Sequence, residues 1–206
     1  MKINKIISPN FNKKKRNNNL IKFIVIHYTG MQSERESINR LCNPKSKVSS
    51  HFVISVNGKV YRLIDDNKVA WHAGKSCWKR LKNLNKYSIG IELVNKGHQF
   101  GYTNYKKKQI DSLAAICKIL IKKYKIKKTN IVGHSDIAPQ RKIDPGEKFP
   151  WKKLAIQKIG IWHKYQPSFL KKFRKVRVFK DKDKIKFVKN LKSIGYCLDI
   201  KKKTFF

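Results

Sequence analysis

Residues 23–26 are uninterruptedly apolar and run into His27 and Tyr28, a pattern that predicts a central strand covered on both faces. Thr29 and Gly30 close it. Residues 33–42 then read as a short helix, with Ile38 and Leu41 three apart and Glu34 and Glu36 in the first turn, where the helix dipole favours acids. Residues 51–55 and 59–64 are strand-like and joined through Asn57-Gly58, a strong hairpin signal. The stretch 65–86 follows neither period and reads as a long irregular loop, of the kind that often carries function. Alternation returns in 88–94: Ile89, Ile91 and Leu93 take one face, while Gly90, Glu92 and Val94 take the other. Glu92 therefore sits beside a position with no side chain, with open space expected above it. Residues 105–124 carry Ile110, Leu113, Ala114, Cys117, Leu120, Ile121 and Tyr124 at helical spacing, with Thr103 or Asn104 available as a cap. A short strand at 130–133 and a loop containing prolines follow, and Phe149-Pro150-Trp151 opens another helix.

Strands interleaved with helices predict the α/β class, with a mixed central β-sheet flanked by α-helices. Three segments are expected. Residues 1–21, rich in Lys and Asn, read as an ill-ordered arm or an extended strap; 22–165 form one catalytic-sized domain; 166–206 form a lysine-dense extension. Within the extension one short basic helix is expected through Ile185, Val188, Leu191 and Ile194, stopped by Gly195.

Charge changes this picture less than its size suggests. Fifty Lys and Arg against twelve Asp and Glu give a net charge of +38, but lysine is spread over the whole chain. No specific nucleic-acid partner is expected, only weak and salt-dependent attraction to polyanions. The scarcity of acids makes Glu92, inside an apolar strand, a candidate for chemistry. No apolar run reaches the length of a membrane span, and the first thirty residues lack the apolar core of a secretory signal. The expectation is a cytoplasmic monomer, with the periplasm or envelope as the alternative. Cys42, Cys77, Cys117 and Cys197 are widely spaced without a C-x-x-C, so all four are expected reduced, with Cys117 in the core.

The densest candidate chemistry lies in residues 131–146. His134 follows Ile131, Val132 and Gly133 where a short buried strand runs out. Asp144 precedes Pro145, which favours extended backbone, so Lys142 and Asp144 should share a face. On this stretch alone, a surface loop with a chance ion pair accounts for the residues as well as a site does. Over the whole chain, His27, His134 and Asp144 are candidate ligands, with Glu92 and Lys142 beside them. Two histidines, one carboxylate and an open fourth position are what a catalytic zinc ion requires.

Five blocks, FIVIHYTG, SSHFVISVNGKVYRLIDD, AWHAGKSCW, SIGIELVN and VGHSDIAPQRKIDPGEKFPW, occur in order over about residues 21–162. In this order and spacing they resemble the zinc-dependent N-acetylmuramoyl-L-alanine amidases (amidase type 2, AmpD-like), in the superfamily that includes peptidoglycan recognition proteins. The resemblance implies one Zn2+ bound by His27, His134 and Asp144, with Glu92 and Lys142 as the catalytic pair. It implies a peptidoglycan or anhydro-muropeptide substrate, cleaved at the amide joining N-acetylmuramic acid to L-alanine. Non-catalytic recognition proteins of the superfamily lack ligands, whereas this chain keeps the full set, so an enzyme is expected over a non-hydrolytic muropeptide-binding module. The loop of Trp71 and His72 is placed by the same resemblance at the cleft rim, where His72 would touch sugar or peptide. Trp78 would stack on a sugar or anchor its loop, and Arg141 would meet a peptide carboxylate or simply be solvated. His51 reads as structural, and His98 and His163 as exposed and without a role. The segment FVKNLKSIGYCLDI weakly resembles the start of a helical peptidoglycan-binding module, so the extension is either a truncated module or a remnant helix packed on the domain.

Overall fold

A computed structural model of the chain describes residues 2–173 and 180–198. Its strands and helices, in chain order, are β1 (Ile3–Lys5), β2 (Phe11–Asn12), β3 (Phe23–Tyr28), α1 (Glu34–Cys42), β4 (Phe52–Ile54), β5 (Val60–Arg62), β6 (Val69–Ala70), β7 (Cys77–Trp78), β8 (Leu81–Lys82), β9 (Ser88–Leu93), α2 (Lys107–Tyr124), β10 (Ile131–Gly133), α3 (His134–Ile137), α4 (Trp151–Ile156), α5 (Pro167–Phe173) and α6 (Asp181–Ile194). Six strands form a mixed sheet in the order β1-β5-β4-β9-β3-β10. Only β4 and β5 are antiparallel; every other pair in it is parallel.

The α/β architecture follows from the two periods in the sequence. One face of the sheet presents Ile24, Ile26, Phe52, Ile54, Ile89, Ile91 and Leu93, and these pack with Ile110, Leu113, Ile116, Cys117 and Leu120 of α2 and Leu154 of α4 into the main core. Helix α2 begins at Lys107, two residues later than its apolar spacing suggests, and has no side-chain cap. Neither Thr103 nor Asn104 caps it, because the N-cap position is Lys106; the Thr103 carbonyl accepts from Asn95 Nδ2 at 2.9 Å, which ties the loop back to the end of β9. Helix α1 is capped by Ser33, whose Oγ accepts from the Glu36 amide at 3.1 Å.

The N-terminal residues run as a strap. β1 joins the sheet edge beside β5 and β2 pairs with β6, so the sheet draws on residues before 22. Ser8 and Asn10 bond to carbonyls of Leu41, Asn43 and Val48. Arg16 is 8% exposed, and its guanidinium donates to the carbonyls of Asp66, Asn85 and Ser88.

The expectation of four reduced cysteines is corrected. Cys77 and Cys197 form a disulfide across 120 residues of sequence, while Cys42 and Cys117 are free. The bond was hidden by that separation, because its partners meet only once the chain after α6 has folded back onto the β7–β8 hairpin. Helix α6 and residues 195–198 are described; 199–206, including the end of the FVKNLKSIGYCLDI segment, and 174–179 lie outside the described residues. No helix among the described residues is long and apolar enough to cross a membrane.

Candidate active site

The strands β3, β9 and β10 run parallel, so their C-terminal ends share one edge of the sheet, the usual location of sites in α/β folds. In register, His27 on β3 lies opposite Glu92 on β9. Gly133 on β10 lies opposite Ile26, so His134, the next residue, enters α3 level with His27. Gly133 is required by close approach: a Cβ there would stand 2.6 Å from Pro145 Cδ. The loop can therefore return against β10, and the Ser135 amide donates to the Asp144 carbonyl at 2.9 Å, which sets Asp144 beside His134.

His27 Nδ1 and His134 Nδ1 are 2.9 Å apart, and each is 3.1 Å from Asp144 Oδ2. All three residues are buried. Hydrogen-bond direction decides what these atoms carry. Ser88 Oγ lies 2.6 Å from the Leu84 carbonyl, so its one proton points there. His72 Nε2, 3.2 Å from Ser88 Oγ, must then donate. Burial first, and then the neighbouring His27 and His51, push His72 well below the ordinary histidine pKa, so it is neutral and its Nδ1 is an acceptor. His27 Nε2 stands 3.0 Å from that Nδ1 and donates to it. His27 is itself held neutral, its pKa pushed down to about 4 by burial first and then by His134, against the raising effect of Asp144. Its Nδ1 is therefore a bare lone pair. His134 Nε2 lies 3.1 Å from the Ala73 carbonyl, which turns its Nδ1 towards His27 and Asp144. Two imidazole nitrogens and one carboxylate oxygen thus converge on one point, a donor set able to hold a cation. Among the described residues these three form the one cluster of potential metal-binding side chains.

A cleft of about 370 Å³ opens above the triad, lined among others by Glu92, Lys142, Trp71, His72 and Arg141. Glu92 Oε2 is buried and has no hydrogen-bond partner among the described residues. Burial first, then Asp144, raise the Glu92 pKa well above the carboxylate range, with Lys142 opposing. A carboxyl group and a lysine thus line the same space as the triad.

Several sequence expectations change in place or partner. The space expected beside Glu92 above Gly90 is filled by the His72 ring: a Cβ on Gly90 would come within 2.4 Å of His72 Cγ. His72 is 8% exposed and is part of the floor, not the rim. Ser88, which orients His72, was missed; its signal was its place two residues before Gly90 on the same face as Glu92. Trp78 is 3% exposed in a second core with Phe23, Val25, Ala73, Leu84, Val132 and Ile137, and so anchors its loop. Trp71 lines the cleft and donates from Nε1 to Asn12 Oδ1 at 2.7 Å. Arg141 donates to the carbonyls of Ala73 and Lys75, fixing the loop beside the site, and is not merely solvated. His51 is fully buried and structural, its Nδ1 accepting from the Gly90 amide at 3.0 Å. His98, expected to be without a role, bridges the Tyr28 hydroxyl and Glu147 and stacks on Tyr102. His163 is exposed and lies against Trp162.

The family model for N-acetylmuramoyl-L-alanine amidase matches residues 16–147, more than half of the chain. The chain belongs to this amidase family. The 1,6-anhydro-N-acetylmuramyl-L-alanine amidase AmpD of Haemophilus influenzae is 34% identical over 166 residues, covering 72% of this chain and 88% of that protein. The N-acetylmuramoyl-L-alanine amidase AmiD of Escherichia coli is 42% identical over 154 residues, 69% of this chain; the match spans only about half, 55%, of that longer protein. The amidase fold is also shared with the solved structure of E. coli AmiD in complex with its substrate anhydro-N-acetylmuramic acid-L-Ala-D-γ-Glu-L-Lys, at a TM-score of 0.75 and 33% identity, covering 91% of this chain and 76% of that one.

Proposed function

We propose that this amidase-family chain hydrolyses the amide between N-acetylmuramic acid and L-alanine in peptidoglycan fragments, using Zn2+ held by His27, His134 and Asp144. The observation that carries the reading is the convergence of two imidazole nitrogens and a carboxylate oxygen at 2.9–3.1 Å, on a cleft shared with a Glu92 carboxyl oxygen that has no partner among the described residues. The donor set fits the group: two imidazole nitrogens and one carboxylate oxygen, facing an open cleft, are a usual catalytic zinc set. When bound, zinc would lower the pKa of a coordinated water to about 7 and polarise a carbonyl.

The rest of the chemistry belongs to the side chains. Glu92, with its raised proton affinity, takes the proton of the attacking water and returns it to the L-alanine nitrogen as the carbon–nitrogen bond breaks. Lys142 lines the same cleft and offers a fixed positive charge to the oxygen of the amide carbonyl as it becomes an anion. His72 and Ala73 hold the outer nitrogens of the two histidines, fixing which nitrogen faces the cleft. The products are a lactyl carboxylate on the sugar and a peptide with a free amino terminus. A substrate like the anhydro-muropeptide bound by AmiD fits this reading. The Cys77–Cys197 disulfide supports a compartment oxidising enough to keep it, and so favours the envelope over the cytoplasm.

Glu92→Ala and His134→Ala divide the assignment. The first should keep one zinc per chain and lose turnover by about 10²–10⁴-fold; the second should lose the metal. A Glu92→Ala protein hydrolysing muropeptide at the normal rate would sink the role given to Glu92.

A further inference from the structure

We infer that the segment after α6, residues 195–198, is a clasp that positions His134 for metal binding, with Tyr196 as the positioning residue. The inference rests on the triad being a metal site. His134 is mounted at two places: its Nε2 meets the Ala73 carbonyl at 3.1 Å, and its turn is capped by Asp136, whose Oδ2 accepts from the Gly133 amide at 2.7 Å. Tyr196 bonds to the second mount and packs against the small core that holds the first. Its hydroxyl donates to the other oxygen of Asp136. Its ring stands edge-on to Trp78, with centroids 4.8 Å apart, and Trp78 packs in the small core that contains Ala73 together with Val132 and Ile137 on either side of His134.

The Asp136 carboxylate is thus held at both oxygens, one by the Gly133 amide and the other by the Tyr196 hydroxyl. Without the tyrosine proton, the oxygen now facing Tyr196 would have to seek another donor, and the turn beginning at His134 is the lever it would move. The clasp is itself tied down at several points. The Lys79 amide donates to the Gly195 carbonyl at 2.7 Å, and Trp78 and Tyr196 form an isolated antiparallel bridge. Gly195, at φ 142°, lies so close to the indole that a Cβ would come within 2.7 Å of Trp78 Cε2. The Cys77–Cys197 disulfide closes the contact covalently. These contacts give the C-terminal extension a place in the metal site's support, independent of any polymer it binds.

The test uses the full chain, with zinc affinity measured by chelator competition, the visible spectrum of the cobalt-loaded protein, and thermal melting of the metal-free protein. Tyr196→Phe keeps the ring against Trp78 and removes only the hydroxyl. It should weaken zinc binding about tenfold, at the low end of the roughly 10–100-fold range for groups that orient ligands. The cobalt spectrum should shift, and any fall in the metal-free melt should leave the chain folded at the temperature of the zinc measurement. The double variant Cys77→Ser/Cys197→Ser, which leaves the tyrosine in place but untied, should weaken zinc binding in the same direction. Wild-type zinc affinity and an unchanged cobalt spectrum in both variants would overturn the clasp. A wild-type chain that holds no zinc would instead overturn the triad reading, and the clasp with it.

Discussion

The two faces of the central sheet are built from the same strands one residue out of phase. Toward α2, β3 and β9 present Ile24, Ile26, Ile89, Ile91 and Leu93, all 0% exposed. On the other face they present His27, Ser88, Gly90 and Glu92, with His72 pressed onto the glycine, beside Phe23 and Val25 of the smaller core. Packing on the first face is non-directional, and any apolar set of similar volume holds it together. On the second, each buried N–H and O–H needs a partner in a particular direction, so one proton fixed between Ser88 and Leu84 determines the state of His72 and then of His27. The apolar face should therefore govern stability and the polar face metal binding and turnover.

Four substitutions would break or sharpen that contrast. Lys142→Ala should lower kcat by about 10²–10³-fold, the usual cost of losing one group that stabilises a developing oxyanion, with zinc content and melting temperature unchanged. Equal turnover in stopped assays with muropeptide would remove Lys142 from the chemistry. On the apolar face, Leu113→Ala removes a fully buried side chain and should cost about 2–5 kcal/mol in denaturant unfolding, while kcat per zinc-loaded molecule holds. His72→Phe keeps a ring over Gly90 but deletes the acceptor for His27 Nε2. Zinc affinity should fall about 10–100-fold, and an affinity equal to wild type would break the chain of hydrogen bonds proposed to set His27.

The smallest effect concerns the rim of the apolar face, where Asp66 accepts from Tyr124 at 2.7 Å and pairs with Arg62 and Lys123. Burial alone would raise its pKa, but the hydrogen bonds from Tyr124 and Lys123 and the charge of Arg62 bring it below the ordinary value of 3.8. Because the folded value lies below the unfolded one, Asp66 adds stability above the unfolded pKa that is lost as pH falls through the folded one. Asp66→Asn should reduce stability at neutral pH and flatten the loss of stability below about pH 4. Parallel acid-unfolding curves for the two proteins would show that the pair contributes nothing.

Regular patterns made most of the apolar face legible in the sequence. The unbroken run in β3, the alternation in β9, the spacing of α2 and Asn57-Gly58 all encode local geometry, and each element is found. The strand-end position of His27 and His134 was legible for the same reason. What escaped depends on contacts between distant residues. Nothing near Gly90 says that His72 will fill its missing side chain, and nothing near Cys77 says that Cys197 will return to it. The β7–β8 hairpin escaped because its turn uses Lys79 and Arg80 at φ 48° and 66°, where a glycine or asparagine would have marked it. The start of α2 differs from its apolar spacing because Lys106 stays extended and takes the N-cap position without a capping side chain.

The most direct test of the account is mass spectrometry of the products after the zinc-loaded chain meets an anhydro-muropeptide or intact peptidoglycan, with and without a zinc chelator. The account predicts release of stem peptide with a free L-alanine amino group, abolished by the chelator and restored by added zinc. No release from either substrate, with one zinc confirmed bound per chain, would contradict it and make the site a muropeptide-binding one.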